Sequence, residues 1–360
     1  MHSKKLIYVT LLKTVKQCKA HDSSPILLMA FPQVIAVFLA LLDVIGLPGN
    51  LIVLLTIILD SRFHVMRYIL LASLALSDFL MLILVNSFLI ESMTQENWLF
   101  GQTMCNLNSS FARYFYINTI LHLVTVSYDR YLAIVKSPLT YDGIVTKMRV
   151  VFLALIWIIP VIPVSVGPFL GNLKYVYNPK VFFCEQQWAV QTGSSTNMIV
   201  SFIAILLPLL IIIFLNVSVY KTARRQIEAM IEVQVGGPVS DSESPQQQEI
   251  ASRRLRERKA AVDVAIIITA FFLCFLPGAI RGICRQFVPE IDVPPEAVFV
   301  TMCIFFFSTI CNPIIYSIRK REFRNAVRKM FRMVGGCPDL NGNDSVWLDR
   351  KSWEVASTLA

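Results

Sequence analysis

The chain has 360 residues, of which 55% are hydrophobic and 16% charged, with a mean hydropathy of +0.61 and a formal net charge of +9. A water-soluble fold of this size has too little interior for so much apolar side chain, so the composition excludes an ordinary soluble enzyme or binding domain and makes lipid the surrounding solvent. The positive charge calls for no nucleic-acid partner, because the basic residues gather beside apolar runs, where membrane topology and anionic inner-leaflet lipid account for them.

Residues 1–32 are read as an extracellular N-terminus, of which 1–20 are basic but lack a long apolar stretch followed by a small-residue cleavage site, so no cleaved signal peptide is predicted. Seven apolar runs follow, at 33–59, 68–93, 102–136, 147–170, 196–226, 256–286 and 295–318. Each holds the roughly 20 residues that cross a bilayer. The predicted fold is therefore an all-α membrane protein, a seven-transmembrane helix bundle over 33–318. The polar segment 227–252 is read as a disordered third intracellular loop. Residues 319–332, with Phe323, Val327 and Phe331 at helical spacing among basic residues, read as a short amphipathic helix on the membrane surface, and 333–360 as a flexible cytoplasmic tail. Lys and Arg on alternate loops put the N-terminus outside and the C-terminus in the cytoplasm of a multi-pass plasma-membrane protein.

Polar groups within these runs mark the working parts, since each is costly in hydrocarbon. Asn50 opens the series in the first run and Asp78 follows in the second. Thr119 in the third run and Ser308 and Asn312 in the seventh supply oxygens for Asp78. Such a set suits a small hard cation such as sodium, or equally a hydrogen-bonded packing cluster without an ion. The third run closes on Asp129-Arg130-Tyr131, where Arg130 has Asp129 and, at the start of the sixth run, Glu257 as partners, or reaches outward to the interface. Pro138 and Leu139 follow in the next loop. Prolines interrupt the last four runs, among them Pro208, Pro277 and Pro313, and each frees a backbone carbonyl and permits a pivot. Cys105 and Cys184 face an oxidising compartment and are candidates for a bridge. Cys337, past the amphipathic stretch, is a candidate for palmitoylation.

Taken together, Gly49-Asn50, the stretch ending at Asp78, Cys105 with Cys184, Asp129-Arg130-Tyr131, Trp157, Pro208, Phe271 with Pro277, and Asn312-Pro313-Ile314-Ile315-Tyr316 resemble the rhodopsin-like G-protein-coupled receptors over roughly 33–332. The resemblance implies an allosteric sodium site at Asp78, Thr119, Ser308 and Asn312, and no enzymatic cofactor. It implies an ionic lock between Arg130 and Glu257, a core switch of Ile120, Pro208 and Phe271, and contact of Pro138 and Leu139 with a heterotrimeric G protein. Two positions depart from the pattern: Phe275 stands where the family has a tryptophan, and Asn216 where it has a tyrosine.

The ligand is to be read from the outer half of the bundle, where the candidate lining is Ala112, Arg113, Tyr116, Arg281, Arg285 and Met302. Amine receptors of the family carry a carboxylate at the position of Ala112, and retinal proteins a lysine at that of Phe306, so both ligand classes are expected to be disfavoured. Arg113, Arg281 and Arg285 suit an acidic small molecule, lipid or peptide terminus, unless they pair with acids of the protein itself. A transporter is disfavoured by the lack of an inverted repeat, and an enzyme by four scattered histidines without ligand spacing. The remaining rival to a signalling receptor is a receptor-like dimer partner or trafficking module.

Overall fold

The computed structural model describes residues 25–136, 148, 150–169, 173–188, 203, 206–236, 274–281, 293–319 and 321–334. Helix α1 spans Pro25–Leu59, eight residues longer at its outer end than the apolar run suggests. Proline at a first helical position is stable there because its missing N–H has no partner to lose. Helix α2 covers Met66–Thr94 and α3 Gly101–Val135. Helix α4 occupies 150–169, with a turn at 159–160 before Val161–Phe169, where Pro160 and Pro163 interrupt the ladder. An antiparallel pair, β1 Leu173–Asn178 and β2 Phe183–Trp188, follows on the outside.

Helix α5 is Leu207–Gly236, and residues 274–281 form α6. The expected loop therefore begins later than 227, since 227–236 is helical. Ile227, Glu228, Ala229, Met230, Glu232 and Gln234 include several strong helix formers, and the Gly236-Gly237-Pro238 sequence ends the run. Helix α7 is Pro295–Arg319 and α8 is Arg321–Val334. Among the described residues, Pro32–Leu59, Met66–Thr94, Leu207–Arg225 and Pro295–Ile315 are long and apolar enough to cross a membrane. Many large apolar side chains on these helices face outward, such as Val37, Val44, Phe214 and Val300, as lipid-facing positions do.

Helix α3 is the central rod, in contact with α2, α5 and both strands. Close approach of α1 to α2 and α7 depends on two glycines. A Cβ on Gly46 would meet the Cδ1 of Leu82 at 2.6 Å, and one on Gly49 would meet the Pro313 ring at 3.0 Å. At the inner end, Phe63, Tyr68 and Phe323 form an aromatic cluster that seats α8 against α1 and α2. Beside it Asp60 caps the turn Ser61–Phe63 and binds the Arg62 side chain, which raises the Arg62 guanidinium from its ordinary value.

Helix α2 is not uniform. Leu82–Asn86 is a π-helical turn, which carries more residues per turn and loosens its own hydrogen-bond ladder. Side chains take up the freed carbonyls. Ser87 Oγ donates to the carbonyl of Ile83, and Asn108 Nδ2 of α3 donates to those of Leu84 and Val85.

Candidate functional site

The inner end of α3 holds the first constellation. The Arg130 guanidinium pairs with the carboxylate of its neighbour Asp129 at 2.6 Å, and both side chains are largely buried. Three residues up the helix, Ser127 Oγ accepts a hydrogen bond from Asn216 Nδ2 at 3.1 Å, which ties α5 to α3 at the position where the family pattern leads one to expect tyrosine. Glu257, Phe271, Pro138 and Leu139 lie outside the described residues, as do Arg285 and Cys337. Tyr316 lies on α7, near its inner end, on the far side of the Pro313 interruption.

In mid-bundle, Asn312 Nδ2 donates to Asp78 Oδ2 at 2.8 Å, both groups being buried. The hydroxyls of Thr119 and Ser308 donate to carbonyls of their own helices, those of Phe115 and Phe305. Of the four oxygen-bearing residues singled out in the sequence, the structure thus pairs Asp78 and Asn312 directly. Asn50 Nδ2 joins α1 to α7 through the carbonyl of Thr309.

Above this level Ile120, Ile212 and Phe275 share one buried cluster, with Pro208 buried on the same helix as Ile212. Phe275 packs edge-on to Phe305 at 5.3 Å, and Tyr116 lies 5.5 Å from each ring. A change at Tyr116 therefore reaches α6, beside Pro277, and α7 through contact alone. The Tyr116 hydroxyl is buried with no hydrogen-bond partner among the described residues.

Further out, Ala112 and Met302 pack on an apolar core that includes Leu39, Leu89, Phe115 and Phe299. The Arg113 guanidinium stands beside Tyr175 of β1, and Arg281 lies near Tyr116. Both arginines already hold interactions within the protein. Strands β1 and β2 cover this end. Cys105 is bonded to Cys184, Gln102 Nε2 donates to the carbonyl of Tyr175, and Ser109 Oγ to that of Cys184. These three α3 residues share one helix face, so the hairpin is fastened along a line. At its turn Phe182 adopts a positive φ of 54° and stacks on Phe299 of α7 at 6.4 Å.

Sequence reasoning missed several polar residues. Ser73 Oγ accepts from Trp157 Nε1 and pairs with His122 Nε2, each at 2.9 Å. His122 Nδ1 faces the carbonyl of Asn118, while Asn118 itself bridges Ser77 and the carbonyl of Ile156. This set joins α2, α3 and α4. Asp43 of α1, paired with Asn86 of the π turn at 2.7 Å, was also missed, although a carboxyl inside an apolar run is a visible signal. The Trp98-Leu99-Phe100-Gly101 sequence before α3 is a further one: Trp98 Nε1 donates to the carbonyl of Gly101, and its ring packs with Phe88, Phe100 and Tyr177.

Comparison with known proteins agrees with this geometry. The profile described as "7 transmembrane receptor (rhodopsin family)" matches residues 49–316. The octopamine receptor beta-2R of Chilo suppressalis is 30% identical over 310 residues, covering 81% of this chain and 77% of that one. The human histamine H2 receptor is 27% identical over 298 residues, covering 82% and 79%. The octopamine receptor beta-1R of Drosophila melanogaster is 28% identical, and the matched stretch spans 59% of its length. Squid rhodopsin shares the fold, with a TM-score of 0.67 at 22% identity, covering 94% of this chain and 93% of that one. The expectation that amines are disfavoured finds no support in relatives whose names are those of amine receptors. It rested on the single position Ala112, and an ammonium group can draw its counter-charge from another helix.

Proposed function

The chain belongs to the rhodopsin family of seven-transmembrane receptors, and from that premise we propose that it binds an extracellular ligand in its outer half and promotes nucleotide exchange on heterotrimeric G proteins. It is a receptor and not an enzyme, set in the plasma membrane as a multi-pass protein. The observation that carries the signalling reading is the Asp129–Arg130 pair at the inner end of α3. A guanidinium held by its own neighbour is a charge that a small helix movement can release toward a partner protein. In this reading the ligand shifts the population toward an arrangement in which α6 pivots at Pro277 and a G-protein helix meets the inner face. The N-terminus lies outside and the C-terminus in the cytoplasm, which the distribution of Lys and Arg supports.

The test is nucleotide exchange across a panel of G-protein subtypes in membranes holding the full chain. Asp129→Asn is expected to raise basal exchange and Arg130→Ala to abolish it at equal surface expression. Absence of exchange with every subtype, for wild type and Asp129→Asn alike, would favour the non-signalling dimer partner.

Two features bear on ligand chemistry. The relatives are named for amines, whereas Arg113 and Arg281 support a ligand with an acidic group. We take the acidic group as the part of the ligand that Arg113 recognises. Arg113→Ala is then expected to weaken an acidic agonist by at least about tenfold, because a truncated buried ion pair leaves its partner charge unpaired. Potency unchanged by Arg113→Ala removes this reading. Sodium at Asp78 and Asn312 belongs to the same proposal: Asp78→Asn should abolish any dependence of agonist affinity on sodium at constant ionic strength. The geometry that supports it is a buried carboxyl with a single side-chain donor among the described residues.

A further inference from the structure

Helix α1 carries a carboxyl group where a bilayer offers no water. Its apolar stretch is Pro32–Leu59, and Asp43 lies eleven residues from one end and sixteen from the other. At about 1.5 Å per residue those are distances of about 16 and 24 Å. In hydrocarbon about 30 Å thick the group sits well inside. Asp43 is half-buried, and it accepts a hydrogen bond from Asn86 Nδ2 at 2.7 Å. The elements packed on α1 are α2, α7 and α8. The ionisable groups of α2 beyond its inner end are Asp78 and Glu91, and those of α7 before its inner end are Glu296, Cys303 and Cys311. None of these is a cation. The basic residues of α8, and Arg67 and Arg319, stand at the inner ends.

Asn86 has a deficit of its own. It is fully buried, and Nδ2 serves both Asp43 and the carbonyl of Leu39, yet Oδ1 has no donor among the described residues. An amide opposite a carboxylate leaves its oxygen idle. Opposite a carboxylic acid it completes a ring of two hydrogen bonds, N–H to acid carbonyl and acid O–H to amide carbonyl. One hydrogen thus supplies both the missing donor and the missing counter-charge.

We propose that Asp43 and Asn86 form a proton-binding site within the membrane, in which neutral Asp43 donates to Asn86 Oδ1 and release of that proton to water loosens α1 from the π turn of α2. The step is a simple dissociation: the O–H bond of the acid breaks, its electron pair stays on Asp43, and the proton leaves. The site is independent of G-protein coupling. It would let proton concentration bias the packing of α1 on α2, whatever the ligand.

The experiment is infrared spectroscopy of the purified full chain in lipid nanodiscs, from mildly acidic to alkaline pH. Wild type is expected to show a carboxylic-acid C=O band at neutral pH that is missing in Asp43→Asn, with the band of any other acid common to both. Asn86→Leu should retain the band, shifted to higher wavenumber by loss of the amide partner. Identical acid bands in wild type and Asp43→Asn overturn the proposal. If Asp43→Asn does not fold, an unshifted band in Asn86→Leu overturns it instead. Melting temperature supplies a second readout, since it should fall more steeply with rising pH in wild type than in Asp43→Asn. Equal slopes would remove the coupling to packing.

Discussion

Ser73 carries more than its size suggests. A carbonyl can only accept, so His122 Nδ1 bears the hydrogen toward Asn118, and the neutral ring then accepts at Nε2 from the Ser73 hydroxyl. The same oxygen accepts from Trp157, so every hydrogen in the chain of contacts has one direction. Ser73→Ala should strand the indole N–H and the imidazole nitrogen at once. The expected loss is about 2 kcal/mol or more, since a buried unpaired polar group costs about 1–3 kcal/mol. Thermal unfolding in detergent measures it, and Trp157→Phe should cost about half as much. Asp78, Asn312, Asp129 and Arg130 were legible in the sequence because they sit in patterned stretches that resemble a known family. Ser73, Asn118 and His122 were not, because their partners lie on other helices and no spacing along one chain reveals which face meets which. Asp43 was legible as a cost and was passed over, and its partner Asn86 needed the structure.

Between elements, α1 and α7 meet at a glycine and a proline ring. A pyrrolidine ring cannot swing aside as a long side chain can, so a Cβ 3.0 Å from it pushes the helices apart. Gly49→Val is expected to destabilise by about 1–3 kcal/mol, the usual cost of overpacking. Gly46→Ala should be milder, because the nearest atom is the end of the Leu82 side chain. Melting temperatures of the two variants, compared at one lipid composition, check the order. Helix positions were readable from the sequence wherever apolar length set them, as at Leu59 and Val135. The ends outside the bilayer were not, since beyond Arg225 composition alone had to separate helix from loop. The π turn left no sequence signal, because it is sustained by side chains such as Asn108 that arrive from α3.

At the scale of the whole molecule, the hairpin closes the outer face and α3 runs through to the inner one. The bridge between Cys105 and Cys184 joins residues 79 apart and fixes the hairpin over the bundle. Cys105→Ser is expected to cost about 2–4 kcal/mol, the usual contribution of a native disulfide. Surface expression and melting of the variant measure it, and mild reduction of wild type should reproduce the change. The fold class followed from hydropathy, because seven apolar runs in 360 residues leave few other architectures. Ligand chemistry did not follow, since it depends on which outer side chains converge, and a single substituted position at Ala112 proved too little to exclude a class.

The wide turn at Leu82–Asn86 bears on how this chain is to be compared or recombined with its relatives. A π turn takes up about one residue more than an α turn. Counting outward from Asp78 at constant spacing therefore misassigns every α2 residue beyond Asn86 by about one position, a rotation of about 100° around the helix. A chimera that exchanges the outer part of α2 with that of a relative must carry the whole of 82–86 with it. A junction placed inside that segment would turn Leu89 and Met93, now fully buried, out of the core and toward lipid.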